Sequence, residues 1–584
     1  MSQSTVSGKA FDTRLFSRVM EFVKPFRGKF YLTAILTILL GFLGPYRVDL
    51  TGDTVDHYIA VSDAPGLLKA IIVILALLVV ETIMQFYQTW YANWLGQSVT
   101  IDIRSKLFAH ISKFKLSFFD NTPIGTLVTR VISDIETIGE IFSQGLLIIV
   151  GDLLKLVVVL VYMFWLDWKL ALLSVASVPL LLVATNMFKN SIKASFADVR
   201  IYVARLNAFV QEHVTGMSIV QIFNREEVEG SRFRELNKEH MDAHNRSNWA
   251  NSIFFPLVEL FSAISLALVL WWGVKGIVSE GYTFGTLFKF IMLINMLFRP
   301  IRQLADRFNV LQMGMVGSER VFGLLDTEAA IADTGSDTTT PIAGNIEFRQ
   351  VWFAYVDEEY VLRDLSFSVK AGQSAAFVGA TGAGKSSVIS LINRMYEFQQ
   401  GSILVDGKDI RDFDLAYLRR NVAVVLQDVF LFSDTIYNNV TLKDPSITLE
   451  QVIEAAKAVG AHDFIMKLPG RYDYDVKERG AMLSVGQRQL IAFIRAYVYN
   501  PKILILDEAT SSVDTESEQL IQRAIEKITE GRTSIIIAHR LSTIQRADQI
   551  IVMEKGKVIE SGSHQELLAG DGHYKTLFDL QYKD

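Results

Sequence analysis

The chain has 584 residues, and long apolar stretches are concentrated in its first half. Six of these stretches approach the length of about 20 residues that an α-helix needs to cross the core of a bilayer. The six stretches are Phe30–Val48, Leu67–Phe86, Leu146–Trp165, Leu170–Phe188, Ile253–Val274 and Phe284–Phe298. The pattern predicts a six-helix transmembrane domain.

The polar segments between these stretches indicate how the helices are connected. Only Leu166–Lys169 separates spans three and four, which predicts a tight turn. The gaps after spans two and four are each about 60 residues long, three times the length that crosses a bilayer. They contain charged amphipathic stretches such as Val99–Phe114 and Ala194–Val210. We therefore expect the membrane helices to continue well past the membrane into the cytoplasm as paired rods joined by tight turns.

The distribution of charge around the first span predicts the orientation of the membrane domain. Acidic residues follow this span, and no Lys or Arg occurs from Val48 to Leu68. Basic residues precede the span: Arg14, Arg18, Lys24, Arg27 and Lys29. Because cytoplasmic loops are enriched in Lys and Arg, this pattern predicts a multi-pass protein of the cytoplasmic (inner) membrane with a cytoplasmic N-terminus.

Composition excludes several kinds of chemistry. Half of the residues are hydrophobic, the formal net charge is −6, and the chain has no cysteine. Disulfides, thiolate zinc sites and cysteine nucleophiles are therefore excluded. The slightly acidic balance gives no support for a nucleic-acid partner.

The second half of the chain has the pattern of an α/β domain. Residues Asp326–Pro341 are rich in Asp, Thr, Ala and Gly and predict a linker. Strand-like runs alternate with helical runs beyond it. We therefore predict three regions: a membrane domain at 1–325, a linker at 326–341 and an α/β domain at 342–584.

A phosphate-binding loop is the most specific motif of the chain. Residues 379–386 read Gly-Ala-Thr-Gly-Ala-Gly-Lys-Ser and match the pattern G-x-x-x-x-G-K-[ST]. A β-prone run at 375–378 precedes the loop, and a helix-like run at 387–392 follows it. The glycines let backbone N–H groups close around phosphate oxygens, and the helix N-terminus adds positive potential. We expect Lys385 to reach the β- and γ-phosphates and the Ser386 hydroxyl to ligate Mg²⁺.

Two further apolar runs predict strands that end in functional groups. Ile503–Glu508 is an apolar strand that ends in two acids. Ligands lie at the carboxyl ends of parallel strands, so Asp507 would hold Mg²⁺, directly or through water, and Glu508 would polarise the attacking water. The run Ser534–His539 ends in His539, which taken alone would more often be structural than catalytic.

Residues 483–489, Leu-Ser-Val-Gly-Gln-Arg-Gln, resemble the LSGGQ signature of ATP-binding-cassette (ABC) proteins, with Val485 in place of the first glycine. The resemblance covers essentially the whole chain. It implies that ATP is bound by Tyr355, Gly379, Thr381, Gly382, Gly384, Lys385, Ser386, Ser387, Gln427, Ser484, Gly486, Gln487 and Asp514. It implies that Mg²⁺ is held by Ser386, Gln427 and Asp507, and that the catalytic residues are Glu508, His539 and Gln427.

The first half is similar to the six-helix domain of type IV ABC exporters. Phe118–Gly125 and Thr126–Arg130 resemble the first coupling region, and Glu212–Val220 resembles the second. The resemblance implies a dimer in which each ATP lies between the phosphate loop of one chain and the signature of the other. It implies an ATP hydrolase that drives the efflux of amphipathic drugs, lipids or lipid-like molecules. Its partner would be a second copy of the chain, which we favour, or a homologous half-transporter.

Alternatives remain at this stage. Val485 fits a subunit of a heterodimeric exporter with one degenerate ATP site, and a lipid flippase with one dedicated substrate fits the same motifs. The apolar spans argue against a soluble ABC ATPase of DNA repair or translation. A non-transporting channel or regulator built on this scaffold is a further alternative. The sequence does not identify the substrate. Ionisable residues in or near the spans form either a polar cavity or structural ion pairs: Glu81, Asp152, Lys155, Glu259 and Lys289.

Overall fold

The computed structural model describes residues 12–582, apart from residues 280, 332, 334, 508–514 and 539–540. Contacts between residues divide the chain into two compact units. The first unit contains the residues up to Ser112 together with Ile124–Thr327. The second contains Lys113–Pro123 and the residues from Glu328 onward.

The first unit is helical. In chain order, the first twelve helices are α1 (Thr13–Glu21), α2 (Arg27–Thr54), α3 (Ala64–Ile111), α4 (Leu116–Asn121, in the second unit), α5 (Ile124–Thr129), α6 (Ile135–Glu140), α7 (Leu146–Leu166), α8 (Trp168–Val175), α9 (Val178–Thr215), α10 (Met217–Ile222), α11 (Glu226–Ser279) and α12 (Phe284–Leu325). Single π-helical turns follow α2, α5 and α6, so that α5, α6 and α7 form one continuous helical path. Such turns add a residue to the helical ladder and locally change which face a side chain occupies.

Five helical stretches of the described residues are long and apolar enough to cross a membrane. They are Lys24–Ile59, Ala64–Ile111, Ile124–Leu166, Pro256–Val278 and Phe284–Ile301. A shorter apolar helical stretch, Trp168–Leu181, lies where the fourth span is predicted. The helical architecture therefore agrees with the six-helix domain that the sequence predicts.

Three helices of the first unit are longer than a membrane span. Helix α3 has 48 residues, α9 has 38 and α11 has 54. At a rise of about 1.5 Å per residue, each is much longer than the roughly 30 Å of a bilayer core. The polar parts of α9 and α11 run side by side, and Arg205 Nη1 lies 3.1 Å from Glu239 Oε2 across them. These two helices form one of the paired rods that the sequence predicts.

Close packing of helices in the first unit depends on small residues. A Cβ atom added to Gly96 of α3 would lie 2.6 Å from the carbonyl oxygen of Gly139 on α6, closer than atoms can approach. Apolar helices in a lipid environment gain little from burying apolar surface against each other. Close backbone approach through glycine therefore supplies the van der Waals contact that holds α3 and α6 together.

The second unit is built on two sheets. Its strands are β1 (Ile346–Ala354), β2 (Tyr360–Val369), β3 (Ser374–Val378), β4 (Gln400–Val405), β5 (Lys408–Asp409), β6 (Val422–Val425), β7 (Ile503–Asp507), β8 (Thr533–Ile537), β9 (Gln549–Glu554) and β10 (Lys557–Gly562). One sheet has the order β2-β1-β4-β5, and the other has the order β10-β9-β3-β8-β7-β6. In the larger sheet β9, β3, β8, β7 and β6 run parallel to one another, so their carboxyl ends share one edge, whereas β10 is antiparallel to β9.

Helices cover both faces of the larger sheet. They are α13 (Lys385–Ile392), α14 (Leu415–Asn421), α15 (Ile436–Thr441), α16 (Leu449–Val459), α17 (His462–Met466), α18 (Val485–Val498), α19 (Thr515–Thr529), α20 (Leu541–Arg546), α21 (His564–Ala569) and α22 (His573–Tyr582). Along β7, Leu504 and Leu506 pack into the core on one face, and Ile503 and Ile505 pack into the core on the other. Burial on both faces explains why this strand is a continuous apolar run.

A short segment from the middle of the predicted membrane domain packs into the second unit. The backbone N–H of Lys115 donates to the carbonyl oxygen of Ala329 at 2.7 Å. Within α4 the ring of Phe118 packs edge-on against Phe114, and the Tyr396 hydroxyl donates to Asp120. The first part of the segment that resembles the first coupling region, Phe118–Pro123, is thus anchored in the same compact unit as the phosphate loop, whereas Ile124–Arg130 belongs to the first unit.

Part of the predicted linker is fixed to the second unit. Asp337 Oδ1 accepts the backbone N–H groups of Thr339 at 2.8 Å and Thr340 at 3.0 Å. Lys408 forms an ion pair with the same carboxylate. The Lys408 ammonium, together with these hydrogen bonds, holds the pKa of Asp337 well below its usual range.

Candidate nucleotide-binding site

The phosphate loop connects β3 to α13 and requires glycine at two places. Gly379 has a φ of 153° and Gly384 has a φ of 102°. A Cβ at Gly379 would lie 2.2 Å from the carbonyl oxygen of Met553, and one at Gly384 would lie 2.6 Å from Leu362 Cδ2. Side chains at these positions would displace the backbone that forms the loop. The strand–loop–helix order that the sequence predicts is confirmed.

Lys385 fills the centre of the loop. Its side-chain Nζ donates to the carbonyl oxygens of Gly379 at 2.7 Å and Ala380 at 3.1 Å, and the residue is 8% exposed. Burial lowers the pKa of Lys385, and the charge of Asp507 opposes this shift. A partly buried cation at the N-terminus of a helix fits the phosphate groups of a nucleotide.

The residues of the loop and of the first turn of α13 differ in their exposure to solvent. Thr381, Gly382 and Ser386 are exposed, whereas Ser387 is buried beneath them in the first turn of α13. A Cβ on Gly382 would meet no atom within 4 Å. The loop therefore presents exposed backbone at Thr381 and Gly382 beside the exposed Ser386, an arrangement that fits phosphate oxygens and a hard cation.

The parallel strands bring the other predicted groups to the same sheet edge. Asp507 is the last residue of β7, and its charge acts on Lys385. Val425 at the end of β6 pairs with Leu506, so the exposed Gln427 follows at the same edge. Three predicted residues lie outside the described residues: Glu508, Asp514 and His539.

An aromatic pair borders the loop helix. The Tyr355 hydroxyl lies 2.9 Å from Ser387 Oγ, and the ring is 44% exposed, which leaves a face for a planar base. Tyr396 packs edge-on against Tyr355 at 5.0 Å between centroids. Tyr396 lies in the loop after α13 with no motif around it, so its contact with Tyr355 could not be predicted from the sequence.

The signature segment forms the start of α18. Ser484 Oγ accepts the backbone N–H of Gln487 at 3.2 Å, and Gln487 Oε1 accepts the backbone N–H of Ser484 at 3.0 Å. This capping box satisfies two free donors of the helix N-terminus. Val485 is 47% exposed at the first helical position. Among the residues that the structure describes, no hydrogen bond, ion pair or ring contact joins Ser484–Gln487 to the phosphate loop of the same chain.

The geometry defines a P-loop nucleotide-binding unit joined in one chain to a helical membrane unit. Comparison with protein families agrees. Residues 30–301 match the ABC transporter transmembrane region, and residues 362–511 match the ABC transporter family. The chain belongs to the ABC transporter family and couples ATP hydrolysis to transport.

Similar proteins cover the chain almost completely. It is 36% identical over its full length to an ABC transporter ATP-binding protein of Bacillus subtilis, covering 97% of that protein. It is 34% identical to an ATP-dependent lipid A-core flippase of Syntrophus aciditrophicus, over 98% of this chain and 95% of the flippase. It is 37% identical to a putative multidrug export ATP-binding/permease protein of Bacillus subtilis, over 97% of this chain and 99% of the relative.

Proposed function

We propose that this chain is a half-transporter that exports amphipathic molecules, drugs or lipids, across the cytoplasmic membrane by alternating access. The observation that carries the proposal is the fusion of a membrane region at 30–301 with a nucleotide-binding region at 362–511. Relatives over the full length include proteins named for multidrug export and for lipid A-core flipping. The first and last predicted regions, 1–325 and 342–584, would be the transport and ATPase domains, joined by 326–341.

ATP would be bound by the groups around the phosphate loop. Lys385 and the backbone N–H groups at the start of α13 would neutralise the phosphates, and Tyr355 would stack on the base. Ser386, Asp507 and Gln427 present the oxygen ligands that Mg²⁺ prefers. Mg²⁺, when bound, neutralises charge on the phosphate oxygens. From the family resemblance we assign Glu508 to polarising the attacking water, Gln427 and His539 to catalysis, with Gln427 sensing the γ-phosphate, and Asp514 to ATP binding.

A second chain would complete the site. The start of α18 presents a capped helix N-terminus and the exposed Val485, and among the described residues no hydrogen bond, ion pair or ring contact joins it to the phosphate loop of its own chain. A helix N-terminus stabilises negative charge. We therefore propose a homodimer in which Ser484, Gly486 and Gln487 of one chain face the ATP on the phosphate loop of the other. A heterodimer with a homologous half-transporter is the second candidate, favoured only by Val485.

The orientation follows from the charge pattern. Basic residues precede α2, and the segment between α2 and α3 lacks Lys and Arg. We propose that the N-terminus, the long ends of α3, α9 and α11, and the nucleotide-binding domain are cytoplasmic. The π-helical turn at Val55–Ile59 would then lie at the outer surface.

Transport by the singly expressed chain tests this proposal. The purified protein, reconstituted in liposomes, is expected to move a fluorescent lipid or a cationic dye in the presence of ATP and Mg²⁺. Lys385→Ala is expected to abolish this movement, whereas Lys370→Ala, at an exposed turn, is the matched control. Transport that continues without ATP would contradict the proposed function. A stable but inactive monomer would contradict the homodimer.

A further inference from the structure

Helix α1 packs against the last turn of α12. Val19 of α1 and Val23, which follows the helix, are both buried. The ring of Phe22 stacks on the ring of Phe322 of α12, with 5.9 Å between the centroids, and Phe322 is buried as well. The end of α12 is therefore covered by a short helix that precedes the first span in the chain.

A bidentate ion pair completes this contact. Arg18 Nη1 lies 2.6 Å from Asp326 Oδ2, and Arg18 Nη2 lies 2.5 Å from Asp326 Oδ1. The guanidinium carbon also lies 4.5 Å from the centroid of the Phe322 ring. A planar, forked cation that pairs with a carboxylate and stacks on a ring is a role that arginine fills and lysine does not. The hydrogen bond from Arg18 lowers the pKa of Asp326, so the carboxylate stays charged at neutral pH.

The residues after α1 contact α3. Phe26 packs edge-on against Trp94 of α3 at 5.6 Å between centroids, and Lys29 Nζ lies 3.5 Å from the centroid of the same indole. Further along α3, Lys106 Nζ lies 4.7 Å from the centroid of Phe22. Trp94 and Lys106 are about 18 Å apart along the helix axis, since a helix rises about 1.5 Å per residue. The contact with α3 is therefore extended.

Residues 18–29, which we call the strap, thus join the two helices that lead out of the first unit. The chain passes from the first unit to the second after Ser112, at the end of α3, and after Thr327, at the end of α12. His110 Nε2 of α3 lies 3.2 Å from the carbonyl oxygen of Thr327, so these two exits are neighbours. The strap ties together the helices on which both exits lie.

We propose that the strap is a coupling element, which holds the ends of α3 and α12 together as one body during ATP-driven transport, with Arg18 and Asp326 as its positioning residues. A movement that enters the first unit at the end of either helix then moves both helices. Without the ion pair the two ends move separately, and part of the ATP is hydrolysed without transport. This inference goes beyond the proposed function, because it concerns coupling and does not depend on which amphiphile is exported.

The ratio of molecules transported to ATP hydrolysed tests the strap. The full chain with Arg18→Gln or Asp326→Asn, in liposomes with a fluorescent lipid, is expected to keep its KM for ATP. The ratio should fall about threefold, because an exposed ion pair shifts an equilibrium by about that factor. Arg14→Gln, an exposed cation on the same helix, is the charge-matched control. An unchanged ratio, or an equal loss of hydrolysis and transport, would overturn the proposal.

A cross-link can replace the ion pair, because the chain has no cysteine of its own. The double variant Arg18→Cys with Asp326→Cys should have the lowered ratio, and a short bis-maleimide that joins the two thiols should restore it. Mass spectrometry of the joined peptides, without a cross-linked dimer on a denaturing gel, would place the link within one chain. The two single-cysteine variants, treated with the same reagent, are the controls. A linked protein that stays uncoupled or stops transporting would contradict a tie that remains closed.

Hydrogen exchange separates this inference from the proposed function, because it requires no transport. In nanodiscs without nucleotide, Arg18→Gln should make the amides of residues 322–327 exchange about threefold faster, and Arg14→Gln should not. This change in a chain that exports neither drugs nor lipids would support the strap and remove only the export function. Unchanged exchange in a chain that transports normally would remove the strap and leave the export function standing.

Discussion

Lys289 on α12 and Asp49 on α2, two residues 240 positions apart in the chain, form an ion pair with 2.5 Å between Lys289 Nζ and Asp49 Oδ1. The Lys289 side chain is only 7% exposed. Asp53, one helical turn further along α2, accepts a second hydrogen bond at 2.6 Å, and the Tyr162 hydroxyl of α7 donates to Asp49. One buried cation therefore links α2 to α12, and its carboxylate partner extends the network to α7.

Replacing Lys289 with methionine is expected to destabilise the membrane unit. Methionine keeps the length of the side chain but leaves two carboxylates without their cation, at a cost of about 3 kcal/mol. We expect a lower melting temperature in nanodiscs. The double variant Lys289→Met with Asp49→Asn should recover part of the loss, because one of the unpaired charges is removed. A melting temperature equal to that of the wild type would contradict a stabilising role for the pair.

Alanine at Gly379 is expected to disrupt nucleotide binding. The new Cβ would lie 2.2 Å from the carbonyl oxygen of Met553, so the loop backbone must move. We expect ATP affinity to fall by at least about tenfold, as measured by binding of a fluorescent ATP analogue.

Gly372→Ala is the matched control. Gly372 also has a positive φ, 76°, but an added Cβ there meets no atom within 4 Å. This variant should lose a little stability from backbone strain and retain ATP binding. Equal losses of ATP affinity in the two variants would show that the close approach to Met553 has no role.

Local patterns predicted the ATPase core well. The phosphate loop, its flanking strand β3 and helix α13 are adjacent in sequence, and β7 is recognisable because both of its faces are buried. The ion-pair partners of Lys289 could not be predicted from the sequence, because they depend on how α12 packs against α2, a helix far away in the chain. The inclusion of Lys113–Pro123 in the second unit and the packing of Tyr396 on Tyr355 are likewise tertiary relationships without a local signal.

Glu508→Gln is expected to preserve ATP binding and to reduce steady-state ATP hydrolysis about 100-fold or more, because an amide polarises water poorly. Glu530→Gln, an exposed acid that follows α19, is the charge-matched control and should leave hydrolysis unchanged. Phosphate release and binding of a fluorescent ATP analogue would be measured on the same preparations. Near-normal hydrolysis in Glu508→Gln would refute the role assigned to Glu508.

The two serine capping boxes of the second unit offer a controlled test of the signature. Ser484 caps α18 and Ser563 caps α21 with the same pair of reciprocal hydrogen bonds. Each Ser→Ala change should cost about 1 kcal/mol of stability through loss of the cap. Only Ser484→Ala is expected to lower ATP hydrolysis as well. Equal effects of both variants on hydrolysis would mean that Ser484 acts solely as a helix cap.

His213 at the end of α9 is expected to give the first unit a pH-dependent contact. Its Nδ1 lies 2.8 Å from the carbonyl oxygen of Phe209, and its Nε2 lies 3.0 Å from Glu229 Oε2 on α11. Both partners can only accept hydrogen bonds, so both ring nitrogens must carry protons and the imidazolium form is favoured. The Phe209 carbonyl and the Glu229 carboxylate accordingly raise the pKa of His213, and the pKa of Glu229 is lowered.

The sign of the pH dependence follows from these directions. The stabilisation that His213 contributes is fully present below its usual pKa of about 6.5 and is lost as pH rises through its raised pKa in the folded protein. The stabilisation that Glu229 contributes is present above its usual pKa of about 4.3. It is lost as pH falls through the lowered pKa of Glu229 in the folded protein. The melting-temperature difference between wild type and His213→Gln should therefore be largest between about pH 5 and 6.5 and shrink at higher pH. In a Glu229→Gln background the same difference should be smaller, because only the Phe209 carbonyl then raises the pKa of His213, and in a background with the exposed His57→Gln change it should stay intact. A difference that stays constant from acid to alkaline pH would show that the pair does not hold α9 to α11.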